Sequence, residues 1–124
     1  MPTPLQLQRT VPVSPAEVAV HLPSGNFERT IEVPAALRAF TSGTLKVVGR
    51  REWHGTTADI TIDVQGQPVS VRGELRALED PNGSVVEFDG VVTADVPFIG
   101  GLIETAVRDE VSANFEQELA AITD

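Results

Sequence analysis

Cysteine is absent from the 124 residues, and histidine occurs only as His21 and His54. These absences exclude a disulfide framework, a thiol nucleophile and a thiolate metal centre, and two imidazoles are too few for the usual His-rich metal site. Basic residues are scarce as well: 9 Lys and Arg stand against 18 Asp and Glu, a net charge of −9. A chain so acidic is not drawn to phosphate backbones or anionic lipid surfaces, so nucleic acid is not an expected partner. No apolar run approaches membrane-spanning length, and Met1-Pro2-Thr3-Pro4 shows no basic segment followed by an apolar one. A cytoplasmic protein forming one domain over residues 1–124 is the expectation. No serine sits in a G-x-S-x-G turn, so a hydrolase elbow is absent too.

What the chain does have is concentrated in its last third. A strand ending at Val96 meets Pro97-Phe98-Ile99-Gly100-Gly101 and then a long amphipathic helix running almost to Asp124. From Ile103 the apolar residues fall at Ala106, Val107, Val111, Phe115, Leu119 and Ile122, a spacing of three and four that draws one stripe along a helix. Glu104, Arg108, Asp109, Ser112, Glu116 and Gln117 are assigned to the wet side, with Glu104 placed to pair with Arg108 one turn on. Gly100-Gly101 invites an anion-binding reading, but without the rest of a nucleotide fingerprint the simpler role is a sharp turn and close packing.

Upstream the pattern is sheet. An edge or near-edge strand is expected from about Pro4 to Val11. Ser14-Pro15-Ala16-Glu17 carries three agreeing helix-start signals, and the helix they open stops by Pro23. A strand follows over Phe27 to Val33, then Pro34 to Phe40 as either one helical turn or an irregular crossing. From Leu45 the chain becomes an antiparallel meander turning at His54-Gly55-Thr56, Gln65 to Pro68 and Asp80 to Gly83. Alternation is clean enough to fix a register: Ala77 opposite Val86, Leu75 opposite Phe88, Gly73 opposite Gly90, Val71 opposite Val92, and Ile60 opposite Gly73. The two glycines leave a bare spot that admits a helix backbone, opens a cavity or marks a bulge. On the polar face the same register aligns Asp59, Glu74 and Asp89; either Arg72 and Arg76 neutralise them diagonally, or the register is wrong, or a divalent cation sits there.

Arg51-Glu52-Trp53, Gly66 to Leu75 and Asp95 to Glu104 together resemble an actinobacterial DUF2505-like family of uncharacterised proteins. That family is similar to the START-like, or polyketide-cyclase-like (SRPBCC), helix-grip superfamily. The resemblance implies an α+β fold in which a curved antiparallel sheet wraps around a long C-terminal helix, with an apolar ligand held between the two in many members. It also implies a longer pair of helices after the first strand. Here that helical region is shortened to Ser14 to Leu22, so the gap is an enclosed pocket, an open groove, or a surface covered by a second copy in a homodimer.

No acid or base is assigned to the core face, which favours non-catalytic binding of an apolar small molecule or lipid over enzymatic chemistry. The candidate ligand-binding residues are Arg51 and Trp53, then Ile60, Ile62, Gly73, Leu75, Phe88, Gly90 and Val92 from the meander, and Ile103, Val107 and Val111 from the helix. Arg51 shares the face of Trp53; it either holds a ligand carboxylate or phosphate, or escapes through a bulge at Gly49 or by reaching to the rim. Trp53 is more in keeping with a core filler than a ligand shelf. Neither a catalytic residue, a cofactor nor a metal is assigned. The alternatives are a protein-interaction or dimerisation module and a cyclase- or hydratase-like enzyme.

Overall fold

The computed structural model describes residues 2–32 and 44–123. The end of the second strand at Val33 and the segment Pro34 to Phe40 fall outside them. In chain order the elements are β1 (Thr3–Val11), α1 (Pro15–His21), β2 (Gly25–Glu32), β3 (Thr44–His54), β4 (Thr57–Val64), β5 (Val69–Asp80), β6 (Gly83–Ala94) and α2 (Gly100–Ala120). They build an α+β fold: one open, curved, six-stranded antiparallel sheet in the order β1-β6-β5-β4-β3-β2, with α2 against it. From β2 to β6 each strand pairs with its neighbour in sequence. Only β1 travels far, closing against β6 to become one edge.

Local chemistry sets the boundaries. Ser14 Oγ accepts the Glu17 backbone N–H at 3.3 Å and Pro15 opens α1, as its start signals require. The helix is short because Pro23 follows Leu22, whose N–H closes the last turn on the Val18 carbonyl at 2.8 Å. Val18 and Leu22 are buried, so tertiary contact with β5 and β6 holds a helix too short to stand alone. Gly55 (φ 71°) and Gly66 (φ 79°) occupy the left-handed region at two hairpin turns, where a side chain would be strained.

The expected register holds, including Gly73 opposite Gly90 and Leu75 opposite Phe88. The ladder runs unbroken through both glycines, so neither marks a bulge. A Cβ added at either glycine would lie 2.8 Å from an atom of the Phe88 ring. That ring therefore lies over both glycines and stacks on Phe115 of α2, with centroids 5.0 Å apart. The bare spot receives neither helix backbone nor an open space; it receives a phenyl ring. On the other face Asp59, Glu74 and Asp89 do align. Arg76 sits 3.1 Å from Glu74 and His54 lies 3.4 Å from Asp59, while Arg72 turns to Asp63 at 3.0 Å instead of to the row.

Helix α2 buries Val107, Val111, Phe115 and Leu119, with Ile122 just beyond its end. Its wet side needs one correction. Glu104 is buried, at 1 % exposure, and Arg108 pairs with Asp109 rather than with it. The Glu104 carboxylate accepts the Thr3 hydroxyl at 2.8 Å and the Ala94 backbone N–H at 3.0 Å, so it ties α2 to β1 and to the end of β6. Its pKa is lowered, chiefly because the Ala94 N–H favours the charged form. Burial opposes that effect and the Thr3 hydroxyl adds to it. Among the described residues no helix is long and apolar enough to cross a membrane.

Candidate functional site

The lateral position of α2 creates the site. The helix rests on β1 and β6 at one side of the sheet, and a cavity of about 280 Å³ lies between its middle and the strands β2 to β5. The sheet contributes Leu45 and Val47 from β3, Ile62 and Val64 from β4, and Val69 and Val71 from β5. Val107, Val111 and Phe115 close it from α2. The alternation along each strand puts these residues on one face. A lining dominated by branched aliphatic side chains suits an apolar occupant.

One end of the cavity is charged. The Arg51 side chain is only 8 % exposed, and its Nη2 donates to Glu118 of α2 at 3.1 Å. The guanidinium also lies over the Phe27 ring, 5.7 Å from its centroid. Phe27 reaches this place because Gly49 lies opposite it in the β2–β3 ladder; a Cβ there would fall 2.1 Å from the ring. Gly49 thus marks a seat for an aromatic ring, not a bulge, and Arg51 is buried instead of extended to the rim. Arg51 Nε is buried and has no acceptor among the described residues. An unmatched buried donor costs about 1–3 kcal/mol. Glu28, Arg29 and Glu110 also line the cavity, and Arg29 donates to the side chain of Asn114.

Of the candidate residues, the structure brings Arg51, Ile62, Val107 and Val111 together around the cavity. Ile60, Leu75, Phe88 and Val92 belong to the packed core beneath α2, and Gly73 and Gly90 lie under the Phe88 ring. Ile103 packs at the edge of that core. Trp53 is an anchor: its indole N–H donates to the Leu22 carbonyl at 2.6 Å and its backbone N–H to Ser24 Oγ at 2.9 Å, which pins the exit of α1. Sequence reasoning missed Phe27, Leu45, Val47, Val64, Val69, Val71, Phe115 and Glu118, among others, as lining residues. The pairing of Phe27 with Gly49 across β2 and β3 was the available signal. Glu118 lies three residues after Phe115 and seven after Val111, on the same stripe, so its carboxylate could have been placed toward the sheet.

Three solved structures show the same fold at low identity. Protein CV1439 from Chromobacterium violaceum is 13 % identical, with 98 % of each chain covered and a TM-score of 0.62. TTHA0849 from Thermus thermophilus is 14 % identical over 95 % of this chain and 92 % of that one, with a TM-score of 0.61. An uncharacterised protein from Rhizobium leguminosarum is 12 % identical over 97 % and 95 %, with a TM-score of 0.59. No protein of curated function matches the chain. The family profile of a protein of unknown function, DUF2505, matches residues 8–124, and the chain belongs to that family.

Proposed function

We propose that this protein is a START-like helix-grip domain that binds an apolar small molecule, without transforming it, in the cavity between α2 and strands β2 to β5. The observation that carries this reading is the cavity itself: about 280 Å³, walled by aliphatic side chains from three strands and one helix. A dry apolar cavity of about 150 Å³ is large enough for benzene, so this one suits a ligand of roughly ten to twelve non-hydrogen atoms. Binding is favoured over catalysis because the buried Arg51 is held in an ion pair with Glu118 and the rest of the inner wall is mainly aliphatic. Neither histidine lines the cavity.

Titration of isotope-labelled protein with butylbenzene tests it. Backbone amides around Ile62, Val64, Val107 and Val111 should shift saturably, and Val111→Phe should remove the response while leaving the spectrum dispersed. Saturable shifts elsewhere, or none anywhere, refute the reading. A second reading, an interaction module, has one observation in its favour: Phe98 is fully exposed with a positive φ of 69°, and Leu102, four residues on, is also exposed. Native mass spectrometry of protein from its own host separates the two, since it reports subunit number and retained ligand together.

A further inference from the structure

We infer that the ligand of this cavity is an amphiphile with an uncharged acceptor oxygen, such as a ketone or amide carbonyl, and that Arg51 is the residue that recognises it. The inference rests on the reading of the cavity as a ligand site and adds the chemistry of the ligand's polar end. Arg51 lines the cavity and its Nη2 donates to Glu118, while its buried Nε finds no acceptor among the described residues. Buried guanidinium N–H groups in a folded protein are normally matched. No described residue supplies an acceptor to this N–H, although polar groups lie close by, so an occupant of the cavity is a source of one. The hydrogen bond would be charge-assisted on the donor side, the stronger kind.

Charge decides between an uncharged head and a carboxylate. Arg51 is already neutralised by Glu118. The other ionisable side chains around the cavity are Glu28, Arg29 and Glu110, which leaves the described lining with an excess of one negative charge. A ligand carboxylate would have to displace Glu118 from Arg51 or sit beside it, and a second anion beside Glu118 is repelled. A carbonyl oxygen takes up the free N–H and leaves the ion pair in place. The Phe27 ring lies under the guanidinium, 5.7 Å from its Cζ, and adds a cation–π contact that helps hold Arg51 at this end of the cavity.

The test compares butylbenzene, butyrophenone and phenylbutyrate, which share a phenyl ring and differ in the polar group. Wild-type protein should bind the ketone about tenfold or more tightly than the hydrocarbon, the ratio expected for one hydrogen bond to a charged group, and the carboxylate no more tightly than the ketone. The side-chain Nε–H resonance of Arg51 should move on addition of butyrophenone and stay in place with butylbenzene. In Arg51→Met the preference for the ketone should disappear while butylbenzene binding persists. If that variant does not fold, the Nε–H resonance of the wild-type protein decides alone. Equal affinity for ketone and hydrocarbon, an unmoved Nε–H signal, or tightest binding by phenylbutyrate overturns the inference while leaving an apolar ligand site intact. Failure of all three compounds to bind overturns the site itself.

Discussion

Replacing Gly90 by valine probes a crowded contact within the sheet. The first added carbon would stand 2.8 Å from the Arg72 carbonyl oxygen and 2.8 Å and 3.0 Å from two atoms of the Phe88 ring. A carbonyl in the β5–β6 ladder cannot retreat without breaking its pairing. The ring cannot retreat either, because Phe115 lies stacked against it and both are almost wholly buried. Overpacking of this kind costs about 1–3 kcal/mol. For a domain of this size each kcal/mol moves the midpoint by about 3–6 °C, so Tm should fall by roughly 3–18 °C. Thermal and urea denaturation give the loss directly. Butylbenzene titration of the same samples should show binding retained at temperatures where the variant is folded, since Gly90 is not part of the cavity wall. Phe88→Leu supplies the internal control: combined with Gly90→Ala it should cost less than the sum of the single changes, because the ring that the new methyl meets is gone. A loss below about 0.5 kcal/mol for Gly90→Val, or a stable variant that no longer takes ligand, would show that the space above the glycines is open and that the reasoning fails.

Two further outcomes follow from α2. Phe115→Ala removes a side chain that is 5 % exposed and touches both the core and the cavity, and should cost about 3–5 kcal/mol by denaturant titration; a change of a few tenths would mean that α2 is peripheral. Glu104 has a folded-state pKa below its ordinary value, so the stability it contributes is complete above the unfolded pKa and is lost as pH falls through the folded one. Stability measured from pH about 7 down to about 3 should therefore fall less steeply in Glu104→Gln than in the parent, although the variant starts lower because the Ala94 N–H loses a charged acceptor. Parallel acid limbs for the two proteins would exclude Glu104 as the group responsible.

Much of the sheet was legible because its information is local. Period-two alternation and turn chemistry at Gln65 to Pro68 and Asp80 to Gly83 fix which residues face each other, and the pairs from Ile60 to Val92 follow from counting. What counting does not supply is the path of a side chain across the sheet surface. The glycines at 73 and 90 read as vacant because nothing in a strand pattern says that Phe88 will lie along its own strand to cover them. Glu104 was misplaced for a related reason. It sits where the apolar stripe begins, and the groups that make its burial tolerable, Thr3 and the Ala94 N–H, come from residues that only the tertiary fold brings near. The candidate site divides in the same way. Residues on the correct strand face were identified, but whether each lines the cavity or the solid core depends on how far α2 is displaced toward β1 and β6, a distance that no periodicity encodes.

The pairing of β1 with β6 has a consequence for biosynthesis. Thr3 finds Val92 as its partner, so the first strand leaves the ribosome about ninety residues before the strand it joins, an interval of about 5–20 s at ordinary elongation rates. Throughout that interval Leu5 and Val11, both buried at the end, have no surface to cover them. The hairpins from β3 to β6 can form as they emerge, but the free edge of β6 stays open until β1 returns. The C-terminal helix waits as well, because β1 forms part of its floor and Thr3 completes the polar contacts of Glu104. Closure therefore waits until β6 and α2 have both been made, and the newborn chain passes through a state with one unpaired strand edge and one uncovered apolar face, the stage at which a holdase would be of most use and at which crowding of nascent chains would do most harm.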